Sequence, residues 1–277
     1  MQTIGWQGAM SGTAKRVTLA TIALRNVILG GNFAAARFAA DPRKLLSYVS
    51  ECLFLFRLAN PQDGLPQSPV WEGLRLPPMT DGLGIHMYPD AAEEWFCRAA
   101  SFAVDLVSLC TLCRILQPKV IFEIGTLHGS AALHLAGNSP AADVYSLDLG
   151  SSEQPLLSTT LVDDAHVRLH SEARRYHFTG RPEECRIHCL RGDSAKFDFS
   201  PWAGKVDLFF VDGAHSYEYV RNDTLKAMAC CHPGSVVAWH DYGRVGLNGV
   251  SKWLHEFRGQ GHEVHRIPGG SLAYARM

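Results

Sequence analysis

The chain has 277 residues, of which 47% are hydrophobic and 19% are charged, a composition typical of a globular protein. This length accommodates one large α/β domain with an appendage, or two small domains. The formal net charge of -1 gives no reason to expect a nucleic acid or an anionic membrane as a partner.

The first 90 residues are predicted to form a helical arm or cap ahead of the main domain. Apolar side chains recur at helical spacing over residues 17–28, which predicts an amphipathic helix too short to span a membrane. That helix could pack on its own domain or on a partner subunit, lie at a membrane interface, or belong to a leader. A second amphipathic helix is predicted over residues 45–56, followed by a proline-rich connection. The arm is therefore a candidate surface for a homodimer.

The main domain is predicted to begin at residue 91, directly after the N-cap of a helix. Asp90 is the predicted N-cap, and Glu93 completes a capping box with it. Apolar residues then continue at helical spacing until Pro118, which ends the helix and leads the chain into a strand.

The eight cysteines are expected to be reduced, because no secretory signal precedes them. Cys110 and Cys113 lie one turn apart in the predicted helix, and Cys185 and Cys189 form a second pair. Neither pair has the spacing of a zinc knuckle or ribbon, so we predict no zinc site there. Reduced thiols and the lack of a membrane segment predict a cytoplasmic protein.

Beyond Pro118, apolar runs alternate with helical patterns, which predicts a mostly parallel sheet with helices on both faces. Strands are predicted at residues 120–124, 144–147, 186–190, 206–211, 235–239, 264–267 and 272–275. Helices are predicted at residues 217–228 and 249–257, and a turn at residues 232–234. The polar segment 150–184 is longer than a usual connection, so we expect it to contribute substrate contacts or a lid.

Acidic residues stand at the ends of the first five predicted strands. They are Glu123, Asp148, Asp193, Asp212 and Asp241. A single acid in such a place is usually a turn former or a helix cap. Ligands of open α/β sheets bind outside the carboxyl ends of the strands. Five acids at successive strand ends therefore predict a binding site at that edge.

A glycine turn joins the first strand to the helix that follows it, with three residues between Gly125 and Gly129. A dinucleotide-binding turn would instead have the spacing G-x-G-x-x-G. Glu123 precedes the turn and suits an ammonium group, whereas Asp148 is placed to bind the hydroxyls of a ribose. These features favour S-adenosylmethionine, in which an adenosine is joined to an amino acid. The alternative is an ordinary tight turn of an α/β sheet.

Five sequence segments carry a resemblance to a known family. They are FEIGT at 122–126, YSLD at 145–148, GDS at 192–194, VDGAHSY at 211–217 and WHDY at 239–242. With these segments in this order, the chain resembles the class I S-adenosylmethionine-dependent methyltransferases. More narrowly, residues 90–277 resemble the methyltransferase domain 24 family, which is related to macrocin-type small-molecule O-methyltransferases. The resemblance implies a Rossmann-like seven-stranded sheet whose last strand is antiparallel, after the helical arm of residues 1–90.

The resemblance also implies where the cofactor would bind. The glycine turn would hold the methionine end, Asp148 the ribose, and Asp193 with Ser194 the edge of the adenine. The residues expected to bind the cofactor are Glu123, Gly125, Thr126, Gly129, Ser130, Asp148, Asp193, Ser194 and Asp212.

An alcohol acceptor would need its proton removed during methyl transfer. Asp212 and Asp241 end neighbouring strands about 4.8 Å apart, so their carboxylates could chelate a cation such as Mg²⁺ that binds the acceptor hydroxyl. His215 or His240 could act as the base, because imidazole titrates near neutrality. A site without metal is the alternative, since Ala214 stands where metal-using relatives often carry an acid.

The function expected from the sequence is transfer of a methyl group to a hydroxyl of a small molecule, such as a sugar or a natural product. A non-enzymatic partner protein that only binds the cofactor is a second possibility, and Asp212, His215 and Asp241 argue against it. A nicotinamide-dependent oxidoreductase is a third, and the glycine spacing argues against it.

Overall fold

The computed structural model describes residues 31–58, 63–75, 84–98, 100–150, 153–170, 175–244 and 246–277, together with Arg16, Val17, Ala20, Thr21 and Leu24. The chain separates into two compact units, Met1–Gly64 and Leu65–Met277. Within the described residues, no helix is both long and apolar enough to cross a membrane.

The described residues of the first unit are mostly helical. Its helices are α1 (Gly31–Ala40) and α2 (Pro42–Leu58), and α2 contains the second amphipathic helix predicted from the sequence. The Asp41 carboxylate accepts a hydrogen bond from the Arg43 N–H at the start of α2. Of the earlier predicted helix, Val17, Ala20, Thr21 and Leu24 are described and are helical, and its other residues lie outside the described ones.

The second unit is a seven-stranded α/β sheet. Its helices are α3 (Val70–Gly73), α4 (Pro89–Arg98), α5 (Ala100–Leu116), α6 (Ser130–Asn138), α7 (Leu161–His170), α8 (Tyr217–Cys230) and α9 (Gly249–Gly259). Its strands are β1 (Val120–Ile124), β2 (Asp143–Asp148), β3 (Ile187–Arg191), β4 (Val206–Val211), β5 (Cys231–Trp239), β6 (Val264–Arg266) and β7 (Ala273–Arg276). The strand order is β3-β2-β1-β4-β5-β7-β6, and β7 runs antiparallel to both of its neighbours. The predicted sheet with its antiparallel last strand is confirmed.

The central strands are apolar because helices cover both faces of the sheet. Ile121, Phe122, Leu208, Phe209 and Phe210 are all less than 1% exposed. Strands β1 and β4 have the bounds that the sequence predicts, since each is a short apolar run that fills the core on both sides.

The strand register fixes what meets at the carboxyl edge. Ile124 of β1 pairs with Leu147 of β2 and with Val211 of β4, and Val211 pairs with Trp239 of β5. The residues that directly follow these pairs are therefore level with one another. They are Gly125, Asp148, Asp212 and His240.

The prediction for the start of helix α4 needs correction. Helix α4 begins at Pro89, so Asp90 lies in its first turn and is not the N-cap. Proline is favoured at that first position, because its missing N–H would be unpaired in any case. The Asp90 carboxylate instead accepts a hydrogen bond from Arg181. The helix predicted up to Pro118 is described as α4 and α5, which are separated only by Ala99, a residue outside the described ones.

The turn predicted at residues 232–234 belongs to strand β5, which begins at Cys231. Gly234 has φ +96° there, and the pairing with β4 changes register between Val206 and Leu208. A proline and a left-handed glycine are therefore accommodated at an irregularity of the sheet, as is usual for these residues in strands.

Part of the predicted arm packs on the sheet unit. The Leu65 N–H donates to the Tyr242 hydroxyl at 3.0 Å, and Gln67 forms a bridge with Arg266. Val70 is also buried. The compact unit that holds the sheet thus begins at Leu65, ahead of the start at residue 91 that the sequence suggests.

Candidate active site

The turn after β1 is shaped by its two glycines. Gly125 has φ +104°, and a Cβ there would lie 2.0 Å from the carbonyl oxygen of Asp212. Gly129 has φ +75°, and a Cβ there would lie 2.4 Å from a ring carbon of Phe178. The Gly125 N–H donates to the Leu147 carbonyl at 2.8 Å. No larger residue fits either position without moving the backbone or the ring, so the turn is tightly joined to the strands beside it.

Glu123 is a fully buried acid at the end of β1. Its Oε2 accepts a hydrogen bond from Ser146, whose hydroxyl also lies 2.7 Å from the hydroxyl of Thr126. Its Oε1 has no hydrogen-bond partner. Burial, together with the charges of Asp148 and Asp212, raises the pKa of Glu123 to about 8. A buried carboxyl oxygen without a partner fits the ammonium group of an amino acid.

Ser146 is a site residue that the sequence reasoning did not identify. It pairs in register with Glu123 across β1 and β2, and it is fully buried. A serine in the inner part of β2, level with a buried acid on β1, is the signal that could have indicated it.

Asp148 ends β2 at the edge of the site. Its Oδ1 accepts a hydrogen bond from the Leu149 N–H at 3.0 Å, and its Oδ2 lies 3.4 Å from Arg191 Nη1. Arg191 also contacts the hydroxyl of Tyr176. Burial raises the pKa of Asp148, and the Arg191 guanidinium opposes that effect. The carboxylate stays partly exposed and is open to a ligand from one side.

Other residues predicted to bind the cofactor use their side chains within the protein. The Asp193 carboxylate accepts hydrogen bonds from the Leu156 N–H at 2.7 Å, from the Ala195 N–H at 2.9 Å and from the Tyr219 hydroxyl at 3.0 Å. The Ser130 hydroxyl accepts from the Trp95 indole at 3.0 Å and donates to the Ala91 carbonyl at 2.7 Å. Ser194 is buried beside Asp193.

Two histidines and two aspartates meet beyond the ends of β4 and β5. His215 Nε2 lies 3.1 Å from Asp241 Oδ2 and 3.8 Å from Asp212 Oδ1. His240 Nδ1 lies 3.2 Å from Asp212 Oδ1 and 3.4 Å from Asp241 Oδ2. Asp241 has φ +63°, a left-handed conformation that is uncommon outside glycine. All four residues named from the sequence as catalytic or metal-binding therefore lie together.

Each histidine has a further buried carboxylate on its far side. His215 Nδ1 lies 2.7 Å from Asp163 Oδ1, and His240 Nε2 lies 3.3 Å from Asp105 Oδ2. Asp163 comes from α7 and Asp105 from α5, and neither was singled out from the sequence. Each lies more than fifty residues from its histidine along the chain, so local sequence patterns do not reveal the pairing.

His240 is also enclosed by aromatic rings. It stacks on Phe102 with ring centroids 5.1 Å apart and meets Trp95 edge-on at 5.2 Å. The Arg244 Cζ atom lies 3.8 Å from the centroid of the Phe102 ring, and Arg244 Nε lies 3.2 Å from Asp241 Oδ1. These contacts restrict the orientation of the His240 ring.

The carboxylates control protonation in this cluster. Burial alone would lower the pKa of His215, but the neighbouring carboxylates, above all that of Asp163, raise it well above its usual value. His240 behaves in the same way, with Asp241 and Asp212 opposing the effect of burial on its pKa. Both histidines in turn hold the pKa of Asp241 well below its usual value, although burial would raise it.

The donor atoms of the cluster can reach one cation. Asp212, His240 and Asp241 each offer a ligand atom, and these atoms lie within 4.8 Å of one another. Among the residues that the structure describes, no other group of His, Cys, Asp and Glu side chains meets this condition. The seven described cysteines are free thiols.

Part of the chain is similar to a known protein family and to solved structures. Residues 122–242 match a family model described as a methyltransferase domain. No significant match was found among curated protein sequences. Similar solved structures include the O-methyltransferase TomG from Streptomyces achromogenes, involved in tomaymycin synthesis, in complex with SAM. It is 18% identical, with 68% of this chain and 86% of that chain covered and a TM-score of 0.44.

Two further structures contain S-adenosylhomocysteine. The SAH-bound Podospora anserina methyltransferase PaMTH1 is 18% identical, with 69% of this chain and 89% of that chain covered and a TM-score of 0.43. The O-methyltransferase from Bacillus cereus is 15% identical, with 68% and 87% covered and a TM-score of 0.41.

The family match covers most of β1, the glycine turn, strands β2 to β5, and both His215 and His240. The sheet has the seven strands and the antiparallel β7 that the resemblance implies. On these grounds residues 122–242 are similar to a methyltransferase domain, within a sheet of the kind that the resemblance implies.

Proposed function

We propose that the protein transfers the methyl group of S-adenosylmethionine to a hydroxyl group of a small molecule. The observation that carries this proposal is the junction between the glycine turn and the histidine cluster. Gly125 packs directly on the backbone of Asp212, whose carboxylate approaches His240. A methyl donor held by the turn would therefore lie beside groups that can bind and deprotonate an acceptor, as in-line transfer requires.

The cofactor would be held by residues of the carboxyl edge. The unpartnered oxygen of Glu123 supports binding of the methionine ammonium group, and the turn from Gly125 to Gly129, with Thr126, would surround that end. Asp148 would bind the ribose hydroxyls beside Arg191. The carboxylate of Asp193 is already hydrogen-bonded within the protein. Asp193 would therefore shape the adenine pocket, and main-chain groups around it would contact the adenine.

The acceptor would meet the cluster formed by His215, His240 and the two aspartates. His215 would take the proton of the acceptor hydroxyl at Nε2, which faces Asp241 and Asp212, after that nitrogen has released the proton that the surrounding carboxylates favour. His240 would carry positive charge or act as a ligand between Asp212 and Asp241. Its stacking on Phe102 would keep the ring in place during the reaction.

Asp212, His240 and Asp241 fit a divalent cation, because their donor atoms converge and most of their surface is buried. A bound cation would act as a Lewis acid that lowers the pKa of the acceptor hydroxyl. Two carboxylate oxygens with one imidazole nitrogen suit Mn²⁺ as well as Mg²⁺, since imidazole is a poorer ligand for the harder ion. The expected Mg²⁺ therefore stays a proposal, with Mn²⁺ beside it.

Calorimetric titration with S-adenosylhomocysteine tests the cofactor site. We expect binding by the wild type and a loss of at least tenfold in affinity for Asp148→Ala, because the ribose loses its carboxylate partner. Methyl transfer from labelled S-adenosylmethionine to a panel of sugars, phenols and other alcohols, with Mn²⁺, with Mg²⁺ and with chelator, then tests the acceptor class. Absence of binding in the wild type would contradict the proposal at its first step. A cytoplasmic location and a homodimer formed by residues 1–90 also stay proposals.

A further inference from the structure

The segment between β2 and β3 does more than cover the sheet edge. Its first described part is tied to two motifs of the main domain. The Leu156 N–H donates to Asp193 at 2.7 Å, and the Leu157 N–H donates to the Tyr219 hydroxyl at 3.4 Å. These bonds place the start of α7 next to the turn that carries His215.

Asp163, in the first turn of α7, is the residue that reaches the catalytic cluster. It is 5% exposed, and it binds His215 through both of its oxygens. Oδ1 lies 2.7 Å from His215 Nδ1, and Oδ2 accepts the His215 backbone N–H at 3.1 Å. Two contacts from one carboxylate fix both the backbone and the ring of His215.

This arrangement determines which ring nitrogen faces the acceptor. A carboxylate oxygen only accepts hydrogen bonds, so the proton on Nδ1 is held toward Asp163. Nε2 is then directed to Asp241 and Asp212, where the acceptor would bind. Because these partners are carboxylates too, Nε2 also carries a proton at rest and must release it before it acts as the base. The same logic operates in the Ser-His-Asp triad, in which an aspartate holds the imidazole in the productive tautomer.

Asp163 also caps its own helix, and the two roles have to be separated. The Thr160 N–H donates to Asp163 Oδ2 at 2.9 Å, and the Asp163 N–H donates to the Thr160 hydroxyl at 3.0 Å. This reciprocal pair is a capping box at the start of α7. Replacing Thr160 by alanine removes half of the box and leaves the carboxylate on His215, which makes it a matched control.

We propose that Asp163 is the positioning residue of the base His215, supplied by the 150–184 segment. The proposal rests on the assignment of His215 as the base. The segment that is expected to contribute substrate contacts would then also set the orientation of the base. Asp163 itself does not touch the acceptor and acts through the imidazole.

A spectroscopic test does not depend on knowing the acceptor. In the wild type, both with and without S-adenosylhomocysteine, nitrogen-15 spectra of histidine-labelled protein should show a downfield, slowly exchanging Nδ1–H proton. Its assignment to His215 is confirmed by its disappearance in His215→Gln. We expect the resonance to be absent in Asp163→Asn and retained in Thr160→Ala. A wild type without that proton would overturn the proposal, whether or not every variant folds.

A kinetic test applies once an acceptor has been found. Asp163→Asn should lower kcat by between about 10²-fold and 10⁴-fold, the range seen when the partner of a functional histidine is removed. The KM for S-adenosylmethionine and the affinity for S-adenosylhomocysteine should change less than threefold, as should kcat in Thr160→Ala. Asp163→Glu should recover part of the lost kcat, because it restores a carboxylate.

The outcomes separate this proposal from the proposed function. Equal losses in Asp163→Asn and Thr160→Ala would show that Asp163 only caps α7. An Nδ1–H proton that persists in Asp163→Asn would exclude positioning even if methyl transfer is found. Failure of the wild type to bind S-adenosylhomocysteine would contradict the proposed function while the spectrum still reports the Asp163–His215 contact.

Discussion

At the scale of single residues, burial decides how the site handles charge. Glu123 is enclosed completely, yet only one of its oxygens has a hydrogen-bond partner. An ionised carboxyl in such a place is costly unless a cation accompanies it. The protein therefore keeps a proton on Glu123 at neutral pH, since its pKa is raised to about 8. A ligand with an ammonium group would reverse that preference.

Binding of S-adenosylhomocysteine should accordingly depend on pH through Glu123. Below pH 8 the free protein must release a proton for the carboxylate to pair with the ammonium group, and above pH 8 the proton is already lost. We expect affinity to rise by up to about tenfold per pH unit between pH 6 and 8 and then to level. Calorimetry in buffers of different ionisation enthalpy would also measure the proton released.

Glu123→Gln is the matched variant for this experiment, because it keeps the shape of the side chain and cannot ionise. Its affinity for S-adenosylhomocysteine should be lower at pH 8 and nearly independent of pH. A pH-independent affinity in the wild type would show that the ammonium group lies elsewhere.

At the scale of the elements, sequence patterns predict what is local. Strands β1 and β4 were predicted with their observed bounds, because each is an apolar run between polar or turn-forming residues. Strand β5 was predicted too short, since Pro233 and Gly234 are typical of a turn and only the sheet irregularity accommodates them. Helix α7 was not predicted, although Thr160 and Asp163 carry the spacing of a capping box.

The site was predictable only in part, for the same physical reason. The acids at strand ends come together because parallel strands bring their carboxyl ends to one edge, so sequence order suffices for Asp212 and Asp241. Asp163 and Asp105 approach through helices that pack across the sheet, and their partners lie far away in the chain. Only tertiary packing specifies such contacts.

Asp105 connects helix α5 to residues near the end of the chain. Changing its carboxylate should therefore lower the stability of the protein. Asp105 Oδ1 accepts the N–H groups of Ser271 and Leu272 at 2.7 and 2.8 Å, and Oδ2 accepts the Ser271 hydroxyl at 2.6 Å. Asp105→Asn would direct an amide NH₂ at buried donors or at His240. We expect the free energy of unfolding to fall by about 3 kcal/mol.

Ser271→Ala is the control, because it removes one of these hydrogen bonds and leaves the carboxylate in place. It should cost about 1 kcal/mol. Urea denaturation of both variants, with the slopes of the transitions compared, measures the difference. Equal losses in the two variants would mean that the carboxylate contributes no more than one hydrogen bond.

At the scale of the whole molecule, the sheet unit contains several buried groups that titrate away from their usual pH. Besides Glu123, Asp223 of α8 is fully buried, and its Oδ2 has no hydrogen-bond partner. Burial raises the pKa of Asp223 to about 7, although Ser194 and Asn222 oppose this. His215 and His240 also have raised pKa values. Folding therefore retains protons that the unfolded chain would release near neutral pH.

The free energy of unfolding should consequently decrease as the pH rises toward 8. For Asp223, the folded state favours the protonated acid, so its contribution is complete below pH 3.8 and is lost as the pH rises through about 7. Asp223→Asn cannot ionise and lacks this contribution. Between pH 5 and 7 the wild type should lose up to about 1.4 kcal/mol more per pH unit than the variant.

Comparing the two proteins isolates Asp223, because Glu123 and both histidines titrate in each of them. Urea denaturation at several pH values, in the presence of chelator, gives the two stability curves. Curves that converge as the pH falls and separate toward pH 7, with the wild type losing more, are the expected result. Parallel curves would show that Asp223 is ionised in the folded protein throughout this range, and that a cationic partner or water compensates its burial.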